Sequence, residues 1–352
     1  MLPRPALCLG LAALRAGLRP SGSRCRLPKG YGVSAKPRGD EVTLRGQCQC
    51  QRQCQRQCQT SGCNISLGST LDAEETVDAL KRYFPIPYLM AALVAIGHIV
   101  VHLVRSPEAG IAWWGALVAI VPLVTFMSSL MVMKRARTSR YLYPVLALAV
   151  IGSALSFLGF ESPASWYALF LGLIASFVYV FWYSVLDRTR STVIEVGATL
   201  PALELYDSEG NSVTPTQGKH GLYMFVRGNW CPLCTAQVKE IAAQYRELEA
   251  RGVEVFLIAR QSASNMRALA RRFDAPIRFC VDEDGQLARR LGIEHVGGVP
   301  FLMETLGYDS DSVLPTVVII DPSRRIIFAD LTNSYRVRPQ PSTFLAALDA
   351  QP

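Results

Sequence analysis

Four uninterrupted apolar stretches organise the middle of the chain. They cover residues 84–104, 111–133, 141–160 and 165–186, each 20 to 23 residues long with no Lys, Arg, Asp or Glu inside. About 20 apolar residues cross roughly 30 Å of hydrocarbon, so the pattern predicts four membrane spans. Short hairpins join them: RSPEAG at 105–110, KRARTSR at 134–140 and ESPA at 161–164. Beyond Ser191 the pattern changes to short apolar strands alternating with amphipathic helices. LPALELYDSEGNSV (200–213) reads as a hairpin, and GLYMFV (221–226), VEVFLIA (253–259), IRFCV (277–281), TVVIID (316–321) and RIIFAD (325–330) read as strands. Helices are expected over 236–252, 262–273, 285–293 and 341–350. This arrangement predicts a membrane helical bundle followed by an α/β sandwich with a mixed central sheet.

Charge sharpens that division. The net formal charge is +8, but residues 81–190 hold 9 Lys/Arg against 3 Asp/Glu, whereas residues 191–352 hold 16 against 19. The mildly acidic C-terminal part is a poor partner for a phosphate backbone, so nucleic-acid binding is not expected. Around the spans, Lys81, Arg82, Lys134, Arg135, Arg137, Arg140, Arg188 and Arg190 fall on one side and Arg105 alone on the other. Such an imbalance predicts a multi-pass protein with both termini in the cytoplasm. Trp113, Trp114 and Trp166 then mark the outer interface.

His98 and His102 stand four apart in the first span, a spacing that places them on one helix face. No other span contributes a His, Cys, Asp or Glu. Polar packing therefore fits them better than a metal or haem site, and no cofactor or metal is expected. Residues 1–71 read as a low-complexity tail; its run QCQCQRQCQRQCQTSGC (47–63) matches no zinc knuckle. A helix is expected over 72–84, leading into a membrane region of residues 72–190.

The informative chemistry lies in residues 191–352. Cys231-Pro232-Leu233-Cys234 falls where a core strand turns into a helix. Backbone N–H groups and the helix dipole at that position favour a thiolate, and the two-residue spacing lets a second thiol resolve a mixed disulfide. On this reasoning Cys231 has a depressed pKa, while Cys234 is more buried and less acidic. A zinc site would need further ligands, and Cys280, His220 and His295 form no second spaced pair. Leu314-Pro315-Thr316 precedes a strand, where proline could hold the chain open beside the sulfurs.

These motifs resemble the thioredoxin-like superfamily, in particular its peroxiredoxin-like branch, the alkyl hydroperoxide reductase/thiol-specific antioxidant (AhpC/TSA) redoxins. The resemblance rests on VGATLPALELYDSEGNSV, GLYMFVRGNWCPLC, LPT before VVIIDP, and the final helix, and it covers most of 196–350. It implies a thioredoxin-like three-layer sandwich with Cys231 attacking, Cys234 resolving and Pro315 as the cis-proline, supported by Trp230, Arg227 and Thr316. Two positions depart from that branch: Gly228 stands where it has Thr or Ser, and Pro315 where it has Arg.

Those departures favour a membrane-anchored thiol–disulfide oxidoreductase facing the cytoplasm. A hydroperoxide reductase with Cys231 peroxidatic and Cys234 resolving is the alternative, and a membrane redox-sensing interaction protein a third. The expected partners are a protein or small-molecule disulfide, or a peroxide, together with a cytosolic dithiol reductant. A membrane protein docking on the four helices is a further expected partner.

Overall fold

The computed structural model describes residues 77–106, 110–133, 135–159, 163–188 and 191–350. The amino-terminal tail with its cysteines, residues 72–76 of the expected first helix, and Glu108, Lys134, Glu161 and Arg190 lie outside the described residues.

A short turn at Lys81–Tyr83 leads into the apolar helices. Helix α1 (Pro85–Arg105) opens on prolines, which suit a first turn whose N–H groups have no intrahelical partner. Helix α2 spans Ile111–Val132, α3 Tyr143–Leu158 and α4 Ala164–Tyr183. Helix α4 widens into π turns over Ala168–Ile174 and Tyr179–Tyr183. Three of the four, α1, α2 and α4, are long and apolar enough to cross a membrane.

The expected third span is shorter than its apolar stretch. Leu142 takes a left-handed conformation (φ 47°) and Pro144 fixes the first turn, so the helix starts only at Tyr143; Gly159 then caps it after 16 residues. At 1.5 Å per residue it is about 24 Å long, less than the hydrocarbon core. The fourth apolar stretch likewise ends as helix at Tyr183, before Leu186.

Glycines set how closely α2 and α3 approach. A Cβ on Gly115 would lie 2.5 Å from the Ser156 amide nitrogen, and one on Gly152 2.4 Å from that of Ala119. The backbones therefore touch, as expected of small residues between membrane helices. Val94, Val104, Val132 and Leu158 remain exposed on the outside, as a lipid-facing surface requires.

The C-terminal domain is a mixed seven-stranded sheet flanked by helices. Its strands are β1 (Leu205–Tyr206), β2 (Ser212–Val213), β3 (His220–Val226), β4 (Val253–Ala259), β5 (Arg278–Val281), β8 (Thr316–Ile320) and β9 (Ile326–Asp330). Their order is β2-β1-β5-β4-β3-β8-β9. Strands β3, β4 and β5 run parallel, while β8 lies antiparallel to β3 and β9 to β8. The central strands are apolar without alternation because both faces are covered; Leu222, Phe225, Phe256 and Val318 are wholly buried.

The helices are α5 (Pro232–Ala243), α6 (Tyr245–Ala250), α7 (Ala263–Ala270), α8 (Gln286–Arg290) and α9 (Pro341–Asp349). The single helix expected over 236–252 starts four residues earlier, at Pro232, and breaks at Gln244 (φ −103°, ψ 13°). An unanticipated hairpin pairs β6 (Glu294–His295) with β7 (Ser312–Val313).

The basic ends of the apolar helices meet this domain. Arg82 pairs with Glu304 and Arg137 with Glu240; Arg140 donates to Asn333 and Arg188 to the Thr332 carbonyl. Arg336 is the anchor in the opposite direction. It is fully buried and donates to Ser184 Oγ, Thr138 Oγ1 and the carbonyls of Ser139 and Arg140.

Candidate active site

The site forms where β3 ends. Arg227 follows the strand, and Gly228 then turns the chain at φ 143°, a conformation strained for any residue with a side chain. A Cβ there would stand 2.6 Å from Trp230 Nε1. The missing hydroxyl at this position thus has a local cause: the turn excludes Thr and Ser. The loop closes through the Cys231 amide, which donates to Gly228 O at 3.2 Å.

Cys231 is the N-cap of α5, with extended backbone (φ −86°, ψ 111°) and Pro232 in the first turn. The expected helix-start position is therefore found. Its carbonyl accepts from the Thr235 amide at 3.0 Å, so the first turn is closed over the dithiol. One turn on, Cys234 shares a hydrogen bond with Cys231. Both thiols are free, and they are only 2% and 1% exposed.

The acidities are the reverse of those expected. At Cys231 the hydrogen bond with Cys234, followed by burial, pushes the pKa well above its ordinary value. At Cys234 burial raises the pKa, but the hydrogen bond from Cys231, the charges of Arg338 and Arg227 and the Arg227 amide outweigh it and bring the thiol to about 6. The reason is geometric: donors converge on the second sulfur. Arg338 Nη2 lies 3.6 Å from Cys234 Sγ. Both guanidinium groups favour the thiolate form of Cys234.

Arg227 is 5% exposed and packs under two rings, with its guanidinium carbon 4.9 Å from the Trp230 centroid and 5.4 Å from that of Tyr335. It donates to Gly298 O and to Tyr183. Tyr183 is the last residue of α4, and it meets Tyr335 edge-on at 5.6 Å. The Tyr335 hydroxyl in turn lies 2.6 Å from that of Tyr179. Trp230 and Tyr335 of the domain and Tyr183 at the end of an apolar helix thus gather around Arg227.

Pro315 and Thr316 come to the same end of the sheet, because Thr316 pairs with Phe225 near the end of β3. Their polar groups are occupied, contrary to the expectation of free backbone beside the sulfurs. The Pro315 carbonyl accepts from Arg188 Nη2; Thr316 Oγ1 accepts from Arg188 Nη1 and donates to Leu314 O. Cys280 is buried in β5, where desolvation pushes its thiol up to about 12, as suits a core residue.

The two membrane histidines pack on aromatic rings. His102 stacks on Trp113 with centroids 3.9 Å apart, and His98 Nδ1 lies 3.1 Å from the Tyr167 hydroxyl. Among the described residues no three His, Cys, Asp or Glu side chains converge as a metal set.

Sequence reasoning missed Arg338, Tyr335 and Tyr183. Arg338 and Tyr335 sit in YRVRPQ, an irregular segment whose two arginines look like solvated loop charges. Tyr183 is one of several aromatic residues in the fourth apolar stretch, with nothing local to single it out. Only the tertiary fold brings the three to one dithiol.

Comparison with known proteins finds similarity in the C-terminal domain. A sequence model of the AhpC/TSA family matches residues 196–329, and the domain carries that thioredoxin-like fold. Peroxiredoxin Q from Sedum lineare chloroplasts is 27% identical over 99 residues, 28% of this chain and 53% of that protein. The Gentiana triflora counterpart is 26% identical over 102 residues, 28% of this chain and 47% of its own length. The chain therefore spans about half the length of the curated relatives it matches. Among solved structures, reduced Prx3 of Vibrio vulnificus in complex with H2O2 is 23% identical, with a TM-score of 0.37, covering 44% of this chain and 99% of that one. Peroxiredoxin 5 of Alvinella pompejana is 21% identical, with a TM-score of 0.36, covering 45% and 99%.

Proposed function

We propose that this chain is a membrane-anchored hydroperoxide reductase in which Cys231 is oxidised by the peroxide and Cys234 resolves it. The observation that carries this reading is the burial of the dithiol, with Cys231 and Cys234 only 2% and 1% exposed. A small peroxide can reach such sulfurs with less rearrangement than a protein disulfide, which must bring its own backbone alongside. The AhpC/TSA match over 196–329 points the same way.

In the proposed cycle Cys231 passes its proton across the shared hydrogen bond to Cys234. The Cys231 thiolate attacks the peroxide and breaks its O–O bond, giving Cys231 sulfenic acid and an alkoxide or hydroxide that takes a proton from solvent. Cys234 then attacks that sulfur; its proton and the sulfenic hydroxyl leave as water. One peroxide is reduced and one Cys231–Cys234 disulfide forms. An external dithiol, expected to be cytosolic, returns the pair to its starting state.

Thiol–disulfide exchange is the second reading, favoured by Gly228 and Pro315 where the family has a hydroxyl and an Arg. The two readings separate in one experiment. The reduced full-length protein in detergent is mixed with hydrogen peroxide and, separately, with an insulin-type disulfide. Peroxide consumption faster than by free cysteine, with one disulfide formed per peroxide and abolished in Cys231→Ser, is the expected result. A peroxide rate equal to that of free cysteine, with rapid disulfide reduction, would transfer the assignment to the second reading.

The four apolar helices act in this reading as the anchor, with the shorter α3 completing the bundle and both termini cytoplasmic. Support comes from the basic residues, since Lys81, Arg82, Arg137, Arg140 and Arg188 all gather at the end that meets the redox domain. Labelling a cysteine introduced near residue 350 in intact cells tests it; reaction with an impermeant reagent from outside would reverse the orientation.

A further inference from the structure

A second cationic site lies beside the dithiol, at the joint between the turn that precedes α1 and the β6–β7 hairpin. Lys81, Arg82, Arg227 and His295 line a cavity there, together with Tyr183, Tyr335 and the backbone of Gly297 and Gly298. Its volume, about 10 Å³, is close to what one water-sized particle needs.

The charges around it do not balance. Lys81 is held by Asp78 and Arg82 by Glu304, and His295 Nε2 lies 3.1 Å from Asp78 Oδ2. Arg227 pairs with no carboxylate among the described residues, although it is 5% exposed. A buried charge without a partner is strongly destabilising. Two guanidinium donors of this cavity, Arg227 Nε and Arg82 Nε, are buried with no hydrogen-bond acceptor. In the reduced protein the neighbouring thiolate supplies part of the missing negative charge. Once Cys231 and Cys234 form a disulfide that charge is gone, and Arg227 is left without it.

We propose that this cavity binds a single small monovalent anion of halide size, held by the Nε–H groups of Arg227 and Arg82 with Lys81 alongside. Thiolate and anion share Arg227, so by linkage the anion binds the disulfide form more tightly than the dithiol form. Phosphate and lipid headgroups are too large for the space. The site takes its ligand whether the dithiol reduces peroxides or disulfides, so its test needs no turnover.

Bromide is the probe. The full-length protein in detergent is unfolded thermally while gluconate is replaced stepwise by bromide at constant ionic strength. Ligand binding to the folded state raises the transition saturably. The expected result is a saturating rise with bromide, a midpoint at least tenfold higher in Arg82→Gln, and a lower midpoint after diamide has taken two electrons and two protons from the dithiol. A transition that ignores bromide, or an equal response in Arg82→Gln, would overturn the site and leave a water in the cavity. Equal midpoints for the two redox states would overturn the linkage, and stabilisation by phosphate instead of bromide would overturn the assigned size. Should Arg82→Gln fail to fold, the anomalous signal of bromide in wild-type crystals decides: a peak within the cavity supports the site, and its absence refutes it.

Discussion

Arg338 donates to the sulfur of Cys234 at 3.6 Å, and no carboxylate shares that guanidinium among the described residues. Its other donors are spent on Tyr335 O and Gln237 Oε1, so the side chain is fixed with its charge against the thiol. Arg338→Gln keeps a polar group of similar reach but removes the charge. An adjacent opposite charge typically shifts a pKa by 1 to 3 units, so the thiolate titration of the reduced protein should move up by about one unit or more. Ultraviolet thiolate absorbance against pH measures this directly. An unchanged midpoint would mean that Arg227 and the Cys231 hydrogen bond hold the charge without help.

The same acidity makes the stability of the reduced protein depend on pH. Cys234 titrates at about 6 in the folded chain because of the Cys231 hydrogen bond and the two arginines, against the burial that opposes them. A free thiol titrates near about 8.5. Between those values the unfolded chain holds a proton that the folded one lacks, so stability rises with pH, by about 1.4 kcal/mol per unit at most. Cys231, whose pKa is raised, acts in the opposite sense above about pH 8.5, where the unfolded thiol ionises first. The disulfide form has neither proton. Denaturant unfolding of both redox forms should therefore show the reduced-minus-oxidised difference growing from pH 6 to 8 and shrinking above 9. A difference flat across that range would contradict the assigned thiolate.

How far the sequence discloses this site depends on how local each feature is. The strand GLYMFV and the helix start at Cys231 follow from adjacent residues, and the structure places them as expected. The acidity order does not, because it is decided by Arg338, more than 100 residues away in the chain. The third apolar helix was legible as apolar but not in length; Leu142 at φ 47° delays its start on backbone grounds that hydropathy does not register. The β6–β7 hairpin is two residues per strand and carries no periodic signal. Pro315 was legible as a strand start, while the capture of its carbonyl by Arg188 is a tertiary contact.

Arg336 ties the redox domain to the apolar helices, and its removal should be felt at the joint first. The side chain is fully buried, and its acceptors come from the 138–140 segment and from Ser184. Arg336→Met preserves length and leaves the Ser139 and Arg140 carbonyls without that donor. Losing one partner of a buried charged network costs about 3–5 kcal/mol. Hydrogen exchange should accelerate over 331–340 and 136–140, with β3 and β4 protected as before. Equal acceleration in the central strands would show that the joint and the domain core unfold together.

Two glycines of the bundle should respond to alanine in opposite directions. A Cβ on Gly97 meets nothing within 4 Å, whereas one on Gly152 would meet the backbone of Ala119, Gly115 and Val118 at 2.4, 2.6 and 2.8 Å. Backbone atoms cannot rotate away as a side chain can, so Gly152→Ala must push α2 and α3 apart. Forcing extra volume into a packed contact costs about 1–3 kcal/mol. Gly97→Ala only removes the entropy penalty of a glycine within a helix, a gain of about 0.5–1 kcal/mol. Thermal unfolding in detergent should place Gly152→Ala below wild type and Gly97→Ala at or above it. If both variants melt together, the contact between α2 and α3 is not what sets the stability of the bundle.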